Sequence, residues 1–392
     1  MGPSLEGIHR AGLGGLTMRF EELPTPCFLV DERLLVRNLE ILRQLMERTG
    51  CRILLAQKAF SMFHFYPLIG QYLSGATASG LYEARLGAEE MGKENHIYCP
   101  AYRDSEFDEI VNLCDHIVFN SFSQLDRFGA KARSAGRSVG LRVNPECSTQ
   151  EGRAIYDPCA PFSRLGITAE NFESGRLGDV HGLHFHTLCE QDADALSQTL
   201  DAVEASFGPY LSHMKWINFG GGHHITRPGY DLPLLEACIA RVQERYGVQV
   251  YLEPGEAVAL NAGFLVCSVL DVLHNGMELA IVDASAACHM PDVLEMPYRP
   301  PLRHSAEAGV KAHTYRLGGC TCLAGDVIGD YSFDAPLRPG SRLVFEDMAI
   351  YSMVKTNTFN GMALPSIAVR DRSGDCHIVR NFGYEDFRTR LS

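Results

Sequence analysis

Lys58 lies where a lysine can do covalent chemistry, within the run CRILLAQKAFSM. Arg52 to Ala56 is an apolar run of strand length, and Lys58 follows it, just before a polar and aromatic loop. A lysine at the C-terminal mouth of a buried parallel strand is suited to forming a Schiff base with an aldehyde cofactor. The alternative is a lysine that leaves the strand for solvent, as charged side chains usually do.

Three consecutive glycines, Gly220, Gly221 and Gly222, follow the apolar run WINF. Glycine lets the backbone approach an anion closely and turn its N–H groups toward it. The pattern therefore favours a phosphate site, and the alternative is a flexible loop without a ligand.

Glu253 and His186 each end a further apolar run, in YLEPGE and GLHFH. A carboxylate placed there is costly unless it meets a cation, and a protonated pyridine nitrogen is one such cation. The alternative partner is an arginine such as Arg142. A ring at the position of His186 can stack on a flat cofactor, whereas His184 is interpreted as a hydrogen-bonded histidine at the rim.

Together these four features match pyridoxal 5'-phosphate. The lysine would hold the aldehyde, the glycine amides the phosphate, the carboxylate the pyridine nitrogen and the histidine the ring face. No metal site is predicted, because the His184/His186 and His223/His224 pairs lack carboxylate or thiolate partners at motif spacing.

The elements that position these residues alternate between strand and helix patterns, which is typical of parallel βαβ units. Eight units over this length predict a (β/α)8 TIM-like barrel, and an open doubly wound sheet is the alternative. In a barrel the chemistry gathers at the C-terminal ends of the strands. The residues at those ends are Lys58 (strand one), Ser79 (two), Arg142 and Asn144 (five), His184 and His186 (six), Gly220 to Gly222 (seven) and Glu253 (eight).

The alternation of strand and helix patterns ends near Gly263, which indicates a domain boundary. Residues 31–262 form the predicted cofactor-binding barrel, and residues 263–392 carry short alternating runs that predict a C-terminal all-β domain. Residues 18–30 are expected to add an N-terminal strand to that β domain. Residues 1–17 are interpreted as a disordered extension or a remnant of cloning.

The composition of the chain disfavours both nucleic acid and a membrane as partners. The 392-residue chain has a formal net charge of −13 and no dense Lys/Arg cluster, which disfavours nucleic acid. No apolar run reaches the roughly 18 residues of a membrane span, and no secretory signal is evident. The 13 scattered cysteines then indicate reduced thiols and a cytoplasmic protein.

The order of motifs AQKAF, GLHFH, NFGGG, LEPGE, CTCLAGD and TFNG resembles that of the alanine-racemase-fold (fold type III) decarboxylases. This group includes the ornithine, arginine and diaminopimelate decarboxylases, and the resemblance runs from about Phe20 to the C-terminus. Within the group, HFHTLCE and NFGGGHHITR are most similar to the decarboxylases of carboxynorspermidine and carboxyspermidine. The resemblance implies a pyridoxal-phosphate-dependent decarboxylase of polyamine biosynthesis.

The resemblance also implies roles for residues in the C-terminal domain. Tyr351 falls where the family has a tyrosine that contacts the phosphate. Cys322 and Asp326 match a segment that a second subunit inserts into the active site, which implies a homodimer whose cysteine directs protonation of the product carbon. Glu295 lies near an acidic position that receives the distal amine of the substrate, and Cys322 and Asp326 are expected to line the same substrate pocket.

Four departures from the family pattern bear on the phosphate site or on the substrate. Glu256 stands where the family has an arginine that holds phosphate, and Cys189 stands where it has a serine; His223 or His224 is a candidate to compensate. Leu323 replaces the glutamate of the diaminopimelate decarboxylases, whose RPALY run is missing too. A substrate with amines at its distal end therefore fits better than one with a second carboxylate.

Three other functions stay open at this point: a diaminopimelate decarboxylase, a non-catalytic barrel protein that binds pyridoxal phosphate, and an amino-acid racemase. The CTC segment argues against the second, and a carboxylate such as Glu253 facing the pyridine argues against the third.

Overall fold

The computed structural model describes residues 18–150 and 154–392, so the prediction for residues 1–17 lies outside the described residues. The chain divides into two compact units. The barrel unit is Leu35–Leu260, and the sheet unit combines the described residues up to Leu34 with Asn261–Ser392.

The barrel unit contains a closed barrel of eight parallel strands, which confirms the predicted (β/α)8 architecture over an open sheet. Strand β1 (Cys27–Asp31) precedes it and belongs to the sheet unit. The barrel strands are β2 (Arg52–Ala56), β3 (Gly75–Ala78), β4 (Glu94–Tyr98), β5 (His116–Phe119), β6 (Ser138–Arg142), β7 (Gly182–His184), β8 (Trp216–Asn218) and β9 (Gln249–Leu252).

Helices connect most of these strands. They are α1 (Glu32–Thr49), α2 (Tyr66–Tyr72), α3 (Leu81–Leu86), α4 (Asp104–Leu113), α5 (Phe122–Ser134), α6 (Ala193–Leu211), α7 (Leu232–Tyr246) and α8 (Glu256–Ala259). The described residues between β6 and β7 contain only short 3-10 turns, such as Ala154–Tyr156. This long connection lines part of the cavity at the mouth of the barrel.

The interior of the barrel is filled around one large ring. Trp216 is buried, and its indole fills the space beside Gly140 and Gly182 on the neighbouring strands. A Cβ added at these glycines would lie 2.4 and 2.1 Å from the indole, so only glycine fits at both positions. Leu54, Val118 and Tyr251 pack in the same cluster, and this close packing holds the strand ends in register.

The sheet unit is built on a mixed eight-stranded sheet in the order β13-β12-β11-β10-β1-β15-β16, with β14 paired to β10. Strand β1 pairs antiparallel with β10 and parallel with β15, so the N-terminal strand is part of this sheet. The remaining elements are β10 (Gly263–His274), β11 (Glu278–Val282), α9 (Ala286–His289), α10 (Asp292–Glu295), β12 (His313–Gly318), β13 (Val327–Phe333), β14 (Arg342–Glu346), β15 (Ser366–Arg370), β16 (Cys376–Arg380) and α11 (Tyr384–Arg388).

The sheet unit is almost all β, with three helices of only four or five residues each. Its core packs Phe28, Leu265, Tyr331 and Phe345 from different strands. Across the described residues of both units, no helix combines the length and the apolar character that a membrane span requires.

Candidate active site

Lys58 lies two residues beyond the end of β2, at the C-terminal end of the barrel strands. Its side chain is accessible from a cavity that Arg142 and His186 also line. Desolvation by the surrounding protein and the charge of Arg142 lower the pKa of the Lys58 ammonium, while Glu253 and Glu83 oppose them. A lysine with a lowered pKa is neutral more often, and the neutral amine is the nucleophile that attacks an aldehyde.

Glu253 directly follows β9 and is 8% exposed. Its oxygens accept hydrogen bonds from Nδ2 of Asn218 (2.7 Å) and Nε2 of His184 (3.2 Å). Burial works to raise the pKa of the Glu253 carboxyl, but His184 and Asn218 lower it by more, so the group is ionised.

The sequence left two cationic partners open for Glu253, the pyridine nitrogen of a cofactor and an arginine such as Arg142. Arg142, the alternative partner, donates instead to the carbonyl oxygen of His186 (3.2 Å), and its guanidinium lies 4.5 Å from the ring centre of Tyr98. His184 is the hydrogen-bonded histidine that the sequence indicated, although it is fully inside the barrel. Glu253 therefore keeps a negative charge whose hydrogen-bond partners are an amide and an imidazole.

His186 is fixed by the glycine loop. Its Nδ1 accepts a hydrogen bond from the backbone N–H of Gly221 (2.8 Å), which places the ring proton on Nε2. Burial, together with the charges of Lys58 and Arg142, lowers the pKa of the imidazole well below its usual value. His186 is thus a neutral, oriented ring beside Lys58 in the cavity wall.

Close packing requires glycine at all three positions of the loop, Gly220, Gly221 and Gly222. A Cβ at Gly220 would lie 2.5 Å from the carbonyl oxygen of Phe185, and one at Gly222 would lie 2.0 Å from that of Leu188. Both residues also have positive φ angles, +70° and +81°. The N–H groups of Gly220 and Gly221 already bond to Asn218 and His186. In the described part of the chain, the N–H of Gly222 has no acceptor, so the phosphate role of this loop stays a prediction.

The two histidines after the glycines behave differently. His223 is buried, its Nε2 lies 3.4 Å from the carbonyl oxygen of Phe219, and burial lowers its pKa to about 4. Nε2 of His224 lies 3.5 Å from Oε1 of Glu256. Burial tends to lower the pKa of His224, but Glu256 raises it by more, so the net shift is upward. Of the two candidates, His224 is the one that offsets the charge of Glu256.

The four remaining predicted residues lie in the sheet unit. Cys322 is exposed, and its N–H donates to Oδ1 of Asn360 (2.7 Å). Tyr351 follows β14 with a φ of +48°. Glu295 is half exposed and pairs with Nζ of Lys355 at 2.7 Å. Their roles toward a cofactor or substrate stay predictions.

Asp326 is 4% exposed and anchors the CTC segment within the sheet unit. Its Oδ2 accepts hydrogen bonds from the hydroxyls of Ser285 (2.8 Å) and Thr321 (2.6 Å), and its Oδ1 accepts one from the N–H of Ala287 (3.2 Å). Three donors of its own chain thus surround this carboxylate, which fits a supporting role better than direct contact with a substrate.

Sequence reasoning missed Asn218 and Glu83. Asn218 ends β8 immediately before the glycines, and its amide bridges Gly220 and Glu253. Glu83 accepts a hydrogen bond from the N–H of Ser79 (2.6 Å), and burial raises its pKa. The signal was available for Asn218, because a polar residue inside the apolar run WINF must find a buried partner.

Comparisons with known proteins show the family to which this chain belongs. The family model described as pyridoxal-dependent decarboxylase, C-terminal sheet domain, matches residues 27–349. The chain is 42% identical over 384 residues to the carboxynorspermidine/carboxyspermidine decarboxylase of Campylobacter jejuni, covering 95% of this chain and 100% of that one. A crystal structure of carboxynorspermidine decarboxylase from that organism, complexed with norspermidine, superposes with a TM-score of 0.89 at 42% identity, covering 94% of this chain and 100% of that one.

Two further relatives have other names and differ in their identity to this chain. The carboxyaminopropylagmatine decarboxylase of Synechocystis is 44% identical over 375 residues, covering 95% of this chain and 97% of that one. The diaminopimelate decarboxylase of Vibrio cholerae is only 24% identical over 244 residues, covering 57% of this chain and 56% of that one. The chain is thus more similar to the Campylobacter jejuni and Synechocystis relatives than to the diaminopimelate decarboxylase.

Proposed function

This chain belongs to the family of pyridoxal-dependent decarboxylases, and we propose that it decarboxylates carboxynorspermidine and carboxyspermidine to norspermidine and spermidine. The chain is therefore an enzyme, and its cofactor is pyridoxal phosphate. The observation that carries the proposal is the ionised, buried Glu253 at the same barrel mouth as Lys58. A fixed negative charge there favours electron withdrawal through a protonated cofactor ring.

The residues of the barrel mouth fit pyridoxal phosphate. When bound, the cofactor supplies a ring that accepts the electron pair released as the carboxylate leaves. Lys58 would hold its aldehyde through Nζ, and Glu253 would hold a proton on its pyridine nitrogen. His186, kept neutral and oriented by Gly221, would lie against the ring. The N–H of Gly222, which has no acceptor among the described residues, would donate to the phosphate, and Tyr351 stays a predicted phosphate contact.

In a homodimer, the sheet unit of the second copy would supply residues that act on the substrate. Cys322 would deliver or direct the proton that replaces CO2 on the substrate carbon. Asp326 would hold the segment that carries Cys322, and Glu295 is the family's candidate for a distal amine.

A second candidate substrate is carboxyaminopropylagmatine, which the similarity to the Synechocystis enzyme favours. This substrate ends in a guanidinium rather than a primary ammonium, and both cations suit a carboxylate partner. Diaminopimelate is disfavoured, because Leu323 replaces the glutamate expected for it and the relatives of that name are distant.

The test is CO2 release by the purified holoenzyme from carboxynorspermidine, carboxyspermidine, carboxyaminopropylagmatine and diaminopimelate at equal concentrations. The proposal predicts the largest kcat/KM for one of the two carboxylated triamines. A larger value for carboxyaminopropylagmatine would assign the second candidate, and turnover of diaminopimelate alone would overturn both.

We also propose a cytoplasmic homodimer with shared sites. All thirteen cysteines lie in the described residues and none forms a disulfide, as expected in a reducing compartment. Mixing the inactive variants Lys58→Ala and Cys322→Ala by co-expression should restore up to about a quarter of wild-type activity, because half of the dimers gain one intact site. No restoration would show that each chain builds its site alone.

A further inference from the structure

We infer that Asp157 binds the cationic tail of the substrate, and that residues 155–165 form the wall of the tail subsite. The inference rests on the proposed function and deepens it, since it names the group that recognises a distal amine or guanidinium. Nothing in the sequence motifs singled out Asp157, which lies in the long connection between β6 and β7.

The cavity at the barrel mouth places Asp157 beside the catalytic lysine. It has a volume of about 540 Å³, within the usual range for small-molecule sites. Lys58, Arg142 and His186 line one part of it, and residues 155–158 and 160–165 line the other. A ligand held at Lys58 therefore extends along this connection.

The charges of the cavity leave one place for an ammonium group. Arg142 and Arg164 contribute positive charge to the lining, which suits the anionic groups of a cofactor and of an α-amino acid. Among the described residues that line the cavity, Asp157 is the one acidic side chain. Within this lining, a cationic tail is repelled by the two arginines and attracted by Asp157.

Asp157 is half-buried and fixed by neutral groups. Its Oδ1 accepts a hydrogen bond from the N–H of Cys159 (2.8 Å), and its Oδ2 accepts one from the hydroxyl of Ser148 (2.6 Å). These donors orient the carboxylate but do not neutralise it. Each oxygen keeps a second acceptor position, so a charge-assisted hydrogen bond to an alkylammonium or guanidinium is available.

The same wall offers apolar surface for methylene groups. Ile155 is 74% exposed and Phe162 is fully exposed, although both are large apolar residues. Phe162 also has a φ of +64°, a strained conformation for a bulky side chain. Strain and exposure at a cavity wall are expected where an aromatic ring contacts a ligand, and the carbon chain of a polyamine is a suitable one.

The two carboxylates that sequence similarity suggested are already engaged. Glu295 pairs with Lys355, and Asp326 is buried among the hydroxyl groups of Ser285 and Thr321. Either would have to give up these partners to bind a substrate amine, whereas Asp157 needs no such exchange.

The test compares two amines that differ only by the tail. Norspermidine and 1,3-diaminopropane would be titrated into the holoenzyme by calorimetry, for the wild type and for Asp157→Asn, Glu295→Gln and Asp179→Asn. Asp179 is a matched control, an exposed aspartate in the same connection that pairs with Arg133 outside the cavity lining.

The inference predicts that the wild type prefers norspermidine and that Asp157→Asn loses about ten- to a hundredfold of that preference, with diaminopropane affinity unchanged. Asp179→Asn should keep the preference. Equal affinities in the wild type, an unchanged preference in Asp157→Asn, or its loss in Glu295→Gln alone would overturn the inference. Because this readout is binding, it is independent of the CO2 assay, so failure of the proposed function is seen separately.

Discussion

The two ends of the barrel each hold a carboxylate beside histidines, but the partners differ. At the N-terminal end, Glu94 opens β4 and meets Arg52 (2.9 Å), the hydroxyl of Tyr251 (2.7 Å) and Nε2 of His96 (2.9 Å). At the C-terminal end, Glu253 bonds to Asn218 and His184. Among the described residues, no lysine or arginine forms an ion pair with Glu253, so its charge is not matched by a permanent cation.

This difference in ion pairing distinguishes a stabilising network around Glu94 from a catalytic site around Glu253. Glu94 has three donors, one of which is the cation Arg52, and this suits a structural role at the N-terminal face of a barrel. No lysine or arginine of the described residues pairs with the negative charge of Glu253. Glu253 also lies at the face where barrel enzymes carry out their chemistry. The residue types at the two ends are alike, and only the completeness of their pairing tells them apart.

The N-terminal cluster also raises the question of a metal. Glu94, His96 and His116 bring three ligand atoms within 4.8 Å of one another. However, the rings of His96 and His116 stack at 3.9 Å with an interplanar angle of 18°, so their lone pairs run side by side and do not converge. Arg52 further opposes a cation at Glu94. The cluster is better explained as a hydrogen-bonded ion network.

The largest effect is expected at Lys58. Lys58→Ala should abolish the long-wavelength absorbance of the bound cofactor and reduce CO2 release at least about 10³-fold, because the amine that holds the aldehyde is lost. Lys215→Ala is the control, a lysine at the opposite end of the barrel just before β8. Normal turnover in Lys58→Ala would remove the basis for placing chemistry at the C-terminal end.

A smaller effect is expected at Asp326. Asp326→Asn replaces one acceptor oxygen by a donor facing Ser285, Thr321 and Ala287, so the CTC segment should shift. We expect kcat to fall about ten- to a hundredfold, with cofactor absorbance unchanged and an altered rate of Cys322 alkylation. Asp330→Asn, whose exposed carboxylate pairs with Arg316, is the control. A change in KM alone, with normal alkylation, would instead assign Asp326 to substrate binding.

Glu94 should contribute to stability at neutral pH and not to turnover, and acid should remove that contribution. Burial works to raise its pKa, but His96 and Tyr251 lower it to about 2, so its contribution is complete above the unfolded pKa and is lost as pH falls toward 2. Burial and the charge of His96 lower the pKa of His116 to about 3, which also makes the unfolded state bind protons first. Stability should therefore fall steadily from about pH 6.5 downward.

Urea unfolding of the wild type and Glu94→Gln between pH 7 and pH 3 checks this point. The variant should be about 1–3 kcal/mol less stable at pH 7, and the gap should narrow in acid. Glu109→Gln, which removes an exposed pair with Arg85, should change little. A gap that is constant across the pH range would rule out the ion network.

The architecture of the barrel was predictable because its signal is local. Most of the buried parallel strands are short apolar runs. The helical pattern of the sequence predicts helices over Asp104 to Leu113 and over Leu232 to Tyr246, and these are the bounds of α4 and α7. In the sheet unit, the alternating runs predict five strands, over residues 264–273, 278–283, 313–317, 342–345 and 366–370, and β10, β11, β12, β14 and β15 lie there. The sequence does not predict β13 and β16. Gly329 and Asp330 interrupt the alternation of β13, so its strand character depends on pairing with β12.

The chemistry-bearing residues at the barrel mouth were predictable by type and not by partner. Their position after strand ends follows from the topology, whereas the contact of Glu253 with Asn218 depends on the register between β8 and β9. The network at Glu94 was missed for the same reason. Arg52, Glu94 and Tyr251 lie on three different strands, and only closure of the barrel brings them together.

The most direct test of the difference between the two ends is the matched pair Glu253→Gln and Glu94→Gln, each measured for CO2 release and for Tm. Glu253→Gln should lose about 10²-fold or more in kcat and keep its Tm within about 2 °C. Glu94→Gln should lose several degrees of Tm and keep kcat within about twofold. Wild-type turnover in Glu253→Gln, or an inactive but folded Glu94→Gln, would contradict the account.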